Sequence, residues 1–205
     1  MRRIAALLVA AGLSAGCVGS VFESDLEPPA LYRLSAPVVE ATGPASTQAI
    51  TVARPRSASS LDTERIAVVT PDHGFDYLAG ARWADPAPQL VQQLLVGTLA
   101  AGGGFATAVA APSRVPTDLL LDVEVRRFEA VYASVDAAPR VQVELQTSLV
   151  DTRRGVRLAS FESRAEALAE RNDRRAVVAA FEQAAGRAVQ DVAVRAHVAA
   201  VAGGR

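Results

Sequence analysis

The chain has 205 residues, half of them apolar, and a formal charge of −1 from 21 basic and 22 acidic side chains. Every basic residue is arginine, so no P-loop lysine and no Schiff-base lysine exists here, and nothing in the charge balance points to nucleic acid. The single cysteine allows no disulfide within the chain, yet the apolar fraction is enough for a single-domain core without one.

Arg2 and Arg3, an apolar run from Ile4 to Leu13, and Ser14-Ala15-Gly16 ahead of Cys17 form the layout of a secretory leader. With a cysteine at the cleavage point, the segment resembles a bacterial lipoprotein signal, in which the thiol is acylated before residues 1–16 are removed. The leucine that this pattern sets three residues before the cysteine is replaced by Ser14, with Leu13 one place further out. The run reaches roughly 15 Å, half of the hydrocarbon layer, which is short for a permanent transmembrane helix. Ordinary secretion and a buried N-terminal helix are the competing readings. Acyl chains on Cys17 would tether the protein without spanning the membrane, two or more of them giving stable anchoring. Val18, where an aspartate could stand, resembles the sorting context of outer-membrane lipoproteins. Processing removes two arginines and no acid, leaving 19 basic against 22 acidic residues, a charge of −3.

Residues 17–30 read as a lipidated N-terminus and linker, with Gly19, Ser20, Glu23, Asp25, Pro28 and Pro29 among few apolar positions. A single domain is expected over 31–205, opening with the strand Leu31-Tyr32-Arg33-Leu34. A polar stretch from Glu40 to Gln48 leads to a strand at Ala49–Val52. A loop over Arg54–Asp62 then precedes another strand at Arg65–Val69. Asp85 is expected as the N-cap of a helix with Pro86 at its first position. In that helix Leu90, Leu94 and Thr98 with Val91, Leu95 and Leu99 form an apolar face at helical spacing. Gly102-Gly103-Gly104 then stops it. The triplet closes a helix instead of opening one, so it reads as a terminator and not as a phosphate cradle.

Two long alternating strands follow. Leu119, Leu121, Val123 and Val125 alternate with Asp122, Glu124 and Arg126, and Arg127 breaks the phase before Phe128 and Ala130, which predicts a bulge at Arg126 and Arg127. Val141, Val143, Leu145 and Leu149 alternate with Gln142, Glu144 and Gln146. A turn at Asp151–Gly155 leads into a third strand from Val156 to about Phe161, giving an antiparallel meander with one solvated face. The last element is a helix starting at Asn172 or Asp173 and running to about Ala200, with Val177, Phe181, Ala184, Ala188 and Val192 as its packing stripe. Together these predict an α+β two-layer sandwich: a mainly antiparallel sheet with a mid-chain helix and a long C-terminal helix packed on it.

Candidates for catalysis are few. Asp72-His73-Gly74-Phe75-Asp76 offers carboxylates and an imidazole, but Pro71 and Gly74 beside them mark a polar turn. Asp122 and Glu124 share a strand face, where Arg126 and Gln142 suit cross-strand pairing on a solvated surface. His197 lies near the end of a helix. No metal site or catalytic residue is assigned, and the only prosthetic chemistry expected is covalent lipid on Cys17.

Tyr77 and the run Arg82-Trp83-Ala84-Asp85-Pro86 carry a different signal. On physical grounds Trp83, the sole tryptophan, is a packing anchor between helix and sheet. With Tyr32-Arg33-Leu34, Leu61-Asp62 before Ile66, Leu149, Asp151 and Gly155 in the late hairpin, and Ala180-Phe181 in the last helix, the order of pieces resembles the auxiliary lipoproteins of ABC-type transport systems, the PqiC-like proteins. The likeness runs from about Tyr32 to Val198. It implies a non-enzymatic lipoprotein of the outer membrane, facing the periplasm. Such a protein assists an MCE-type transporter of phospholipid or other hydrophobic molecules by docking to its MCE-domain subunit. The ATPase and permease would be other chains, and a homo-oligomeric ring is one arrangement the resemblance suggests. It also marks Tyr77, Arg82, Trp83, Asp85 and Pro86 as a fold or partner-surface signature. An envelope hydrolase acting through His73 and a structural envelope lipoprotein with no transport partner are the rival readings.

Overall fold

The computed structural model describes residues 28–37 and 46–204. The leader, Cys17 and the linker up to Glu27 lie outside the described residues. Nine strands and two helices follow in the order β1 (Ala30–Tyr32), β2 (Ala49–Val52), β3 (Arg56–Ser57), β4 (Arg65–Val69), β5 (Phe75–Trp83), α1 (Ala87–Ala101), β6 (Thr107–Ala110), β7 (Leu119–Val131), β8 (Arg140–Asp151), β9 (Val156–Leu168) and α2 (Arg174–Gly203). They make one mixed sheet with both helices on one face, the α+β arrangement the sequence predicts.

Strand β7 is the spine. Along one edge it pairs antiparallel with β8 over its whole length, and β8 in turn pairs antiparallel with β9, so the expected meander is present. Along its other edge it takes three short parallel partners in succession, β2 at Leu119–Leu121, β3 at Glu124 and Val125, and β4 at Glu129–Val131. Strands β6 and β1 extend the sheet by parallel pairing with β2 and β5. Antiparallel pairing therefore joins the long strands and the β4–β5 pair, while the short strands add in parallel.

The alternation of β7 sends Leu119, Leu121, Val123 and Val125 into the core, and the ladder slips between Val125 and Arg127. The bulge turns Arg126 and Arg127 both outward and restores Phe128 and Ala130 to the core. On β8, Val141, Val143, Leu145, Thr147 and Leu149 face the same way. Helix α2 lays Val177, Phe181, Ala184, Ala188 and Val192 against them, all fully buried, and its small alanines let the backbone approach the sheet. Asp173 caps the helix, its carboxylate accepting from the Ala176 N–H at 2.9 Å.

Four expectations are corrected. Helix α1 begins at Ala87 with Pro86 as N-cap, and Asp85 accepts instead from the Gln89 and Gln93 side chains at 2.9 and 3.2 Å. The third meander strand runs on to Leu168, because β8 offers partners along its whole length. The loop over Arg54–Asp62 contains the two-residue β3. Strand β5 occupies Phe75–Trp83, where the sequence reading places a turn and the approach to a helix. Its pairing with β4 jumps from Tyr77 opposite Ala67 to Arg82 opposite Arg65, and Gly80 adopts φ 67° in the bulged segment. A side chain there would also collide with Arg174, whose guanidinium donates to the Gly80 carbonyl at 2.9 Å.

Candidate functional site

The signature residues divide between core and surface. Trp83, at the end of β5, is fully buried and sits edge-on to Phe181 of α2 and Phe128 of β7, with ring centroids 5.1 and 5.9 Å away. It is the wedge between helix and sheet that its position suggests, and its buried indole N–H has no partner among the described residues. Its backbone N–H donates to the Glu64 carbonyl at 2.7 Å, and the Ala84 N–H donates to the Tyr32 carbonyl at 2.8 Å, which locks β1, β4 and β5 together ahead of α1. Asp85 and Pro86 complete that junction.

Tyr77 and Arg82 lie on the other face of the sheet. The Tyr77 hydroxyl donates to the Ser60 carbonyl at 3.1 Å, and the Arg65 guanidinium lies over its ring at 3.6 Å. Arg82 stands directly opposite Arg65 in the β4–β5 ladder, and Leu31 is its register partner on β1. Since Ala81 and Trp83 are buried on either side of it, Arg82 points outward and is exposed. Arg65, Tyr77, Arg82 and Leu31 thus form a corner of the open face that the sequence does not mark as a cluster.

The rest of that face is a charge lattice across β7, β8 and β9. Arg126 reaches Glu124 and Glu162, Arg127 reaches Glu129 and Glu144, Arg164 reaches Glu144 and Glu162, and Arg140 reaches Glu166. An open depression of about 260 Å³ lies within it, lined by Arg127, Gln142, Glu144, Arg164 and Glu166 among others. Burial raises the Glu129 carboxyl pKa, opposed by Arg127 and assisted by Glu144. Asp122 is bound by Arg56 at 3.1 Å, so Asp122 and Glu124 are partners in pairing and not an acid/base couple.

The residues considered for catalysis are not brought together. His73 sits with φ 64° in the exposed turn between β4 and β5, as a turn residue should. Beside it the Thr70 hydroxyl, donating to Asp72 at 2.5 Å, and the Gly74 N–H hold the Asp72 carboxyl below its ordinary pKa. His197 is buried near the end of α2, edge-on to Phe105, and neither ring nitrogen has a partner among the described residues. A Cβ on Gly104 would stand 2.9 Å from that ring, so the last glycine of the triplet serves close packing. Among the described residues no group of three or more His, Cys, Asp or Glu could hold a metal ion, and no helix is long and apolar enough to cross a membrane.

These features define an α+β scaffold with helices on one face of the sheet and an open, charged other face. The family model of the ABC-type transport auxiliary lipoprotein component matches residues 32–193, and the chain belongs to that family. Protein XCC0632 from Xanthomonas campestris has a similar structure, with a TM-score of 0.78 at 24% identity over 85% of this chain and 99% of that one. The hypothetical protein CT253 from Chlamydia trachomatis shares the fold more loosely, with a TM-score of 0.53 at 8% identity over 77% of this chain and 99% of that one. No curated protein matches the chain.

Proposed function

We propose that the protein is a lipid-anchored, non-enzymatic docking module of an ABC/MCE-type transport system, held at the periplasmic face of the outer membrane by acyl chains on Cys17. The observation that carries this reading is the family match over residues 32–193, joined to a leader that ends in a cysteine. The first described strand begins 13 residues after Cys17, a stretch that spans roughly 40 Å when fully extended, enough for the domain to meet a partner arriving from the inner membrane. The partner is the MCE-domain periplasmic subunit, and the cargo a phospholipid or another hydrophobic molecule. Several copies in a ring would surround the end of the conduit. The missing P-loop lysine fits an auxiliary chain whose ATPase is a separate subunit.

The test is capture of the MCE subunit by the tagged protein from solubilised envelopes. Capture is expected from the unaltered protein, and a Cys17→Ala chain should capture less in intact envelopes, because tethering at the bilayer raises the local concentration. A domain that binds the subunit through no surface would overturn the proposal.

A further inference from the structure

Arg65 and Arg82 are register partners across the β4–β5 ladder, where two like charges on opposite residues are unfavourable. No carboxylate among the described residues lies within 4.0 Å of Arg65 or Arg82, although Arg126, Arg127, Arg140 and Arg164 on the same open face each have at least one. The Tyr77 ring holds the Arg65 guanidinium over its face without using any of its N–H groups. A forked pair of donors with no acceptor among the described residues is complementary to a group that carries negative charge on several oxygens. Leu31, 68% exposed, stands beside Arg82 on β1 and gives the same corner an apolar edge.

We infer that Arg65 and Arg82 bind the phosphate of a membrane phospholipid headgroup, with Leu31 turned toward its acyl chains, so that the β1–β5–β4 corner rests on the bilayer. Position in the chain favours this occupant over an acidic peptide. Strand β1 is the first described element, and Leu31 is 14 residues from Cys17, at most about 45 Å of extended chain. This corner is thus joined to the anchor by the shortest stretch of polypeptide in the fold. The inference rests on the proposed anchoring at Cys17 and deepens it by giving the tethered domain an orientation.

Calorimetric titration of the protein, extracted from membranes in neutral detergent, with dihexanoylphosphatidylglycerol tests it. Saturable binding is expected, and Arg65→Gln and Arg82→Gln should each weaken it about tenfold or more through loss of charge-assisted hydrogen bonds. Arg126→Gln and Arg164→Gln, whose charges are matched internally, should leave it unchanged. Arg82→Lys should fall between, and thermal melts of every variant show whether the fold is intact. Unchanged affinity in Arg82→Gln, equal loss in Arg164→Gln, or equal binding of dihexanoylglycerol, which lacks the phosphate, would overturn the headgroup site. So would inorganic phosphate binding as tightly as the lipid. Capture of the MCE subunit is scored separately. Capture without phosphate-dependent lipid binding removes this site alone, whereas lipid binding without capture removes the transport reading and leaves the site standing.

Discussion

The β7–β9 meander and the β1–β5–β4 corner share one sheet and one solvated face, but they handle charge in opposite ways. In the meander Arg126, Arg127, Arg140 and Arg164 meet glutamates on their own or a neighbouring strand, so the lattice around them neutralises itself, and only Arg157 at the start of β9 lacks such a partner among the described residues. In the corner two arginines confront each other, one stacked on a tyrosine and the other beside an exposed leucine. A self-matched lattice keeps a sheet soluble and offers a charged ligand little, whereas an unmatched pair is a standing cost that a bound anion would relieve. The contrast separates the part of the open face built for water from the part free to engage something else.

The largest effect expected from the corner comes from its buried side. Trp83→Ala should cost about 3–5 kcal/mol in a urea melt, since the buried ring packs edge-on against both Phe128 and Phe181. Trp83→Phe should cost much less, because the indole N–H donates to none of the described residues. A small loss in Trp83→Ala would show that the junction does not rest on this ring. Next is Arg82→Glu, which places a carboxylate opposite Arg65 and should stabilise the fold by about 0.2–1 kcal/mol. That corresponds to a rise in melting temperature of at most about 2–4 °C, readable by circular dichroism. A drop of the same size would mean that the two arginines are not in conflict.

The meander should respond less. Arg164→Ala, despite its two glutamate partners, should shift stability by less than about 1 kcal/mol, because its side chain is 67% exposed and solvent screens the pairs. A subtler effect belongs to the cap of α2. The Ala176 N–H and then the Arg171 side chain hold the Asp173 carboxyl below its ordinary pKa. Its contribution is therefore present above the unfolded value, near 4, and is lost as pH falls through the lower folded one. Asp173→Asn should flatten the acid side of a stability–pH profile, and an unaltered slope would remove the cap from the acid response.

The meander was also the more legible region. Its alternation, the phase break at Arg127 and the turn at Asp151–Gly155 are local signals, and each names a structural feature directly. The far half of β9 is weaker, since Ser163, Ala165 and Ala167 have little strand preference and are held by their partners on β8. Strand β5 was hidden because Asp76, Ala79 and Gly80 interrupt any alternation, and its bulge has meaning only beside β4. Parallel pairing of β2, β3 and β4 along β7 leaves no mark within any one of those segments. Of the signature, Trp83 could be placed from its position ahead of a helix. The isolation of Arg82 could not, because it depends on which side chains three separate strands bring alongside.

Both regions belong to a chain that we read as held to a bilayer through Cys17, and the intact mass of the membrane-extracted protein tests this most directly. The expected mass lacks residues 1–16 and carries acyl additions on Cys17. A free thiol on a soluble product, or a chain with its leader still attached, would contradict it.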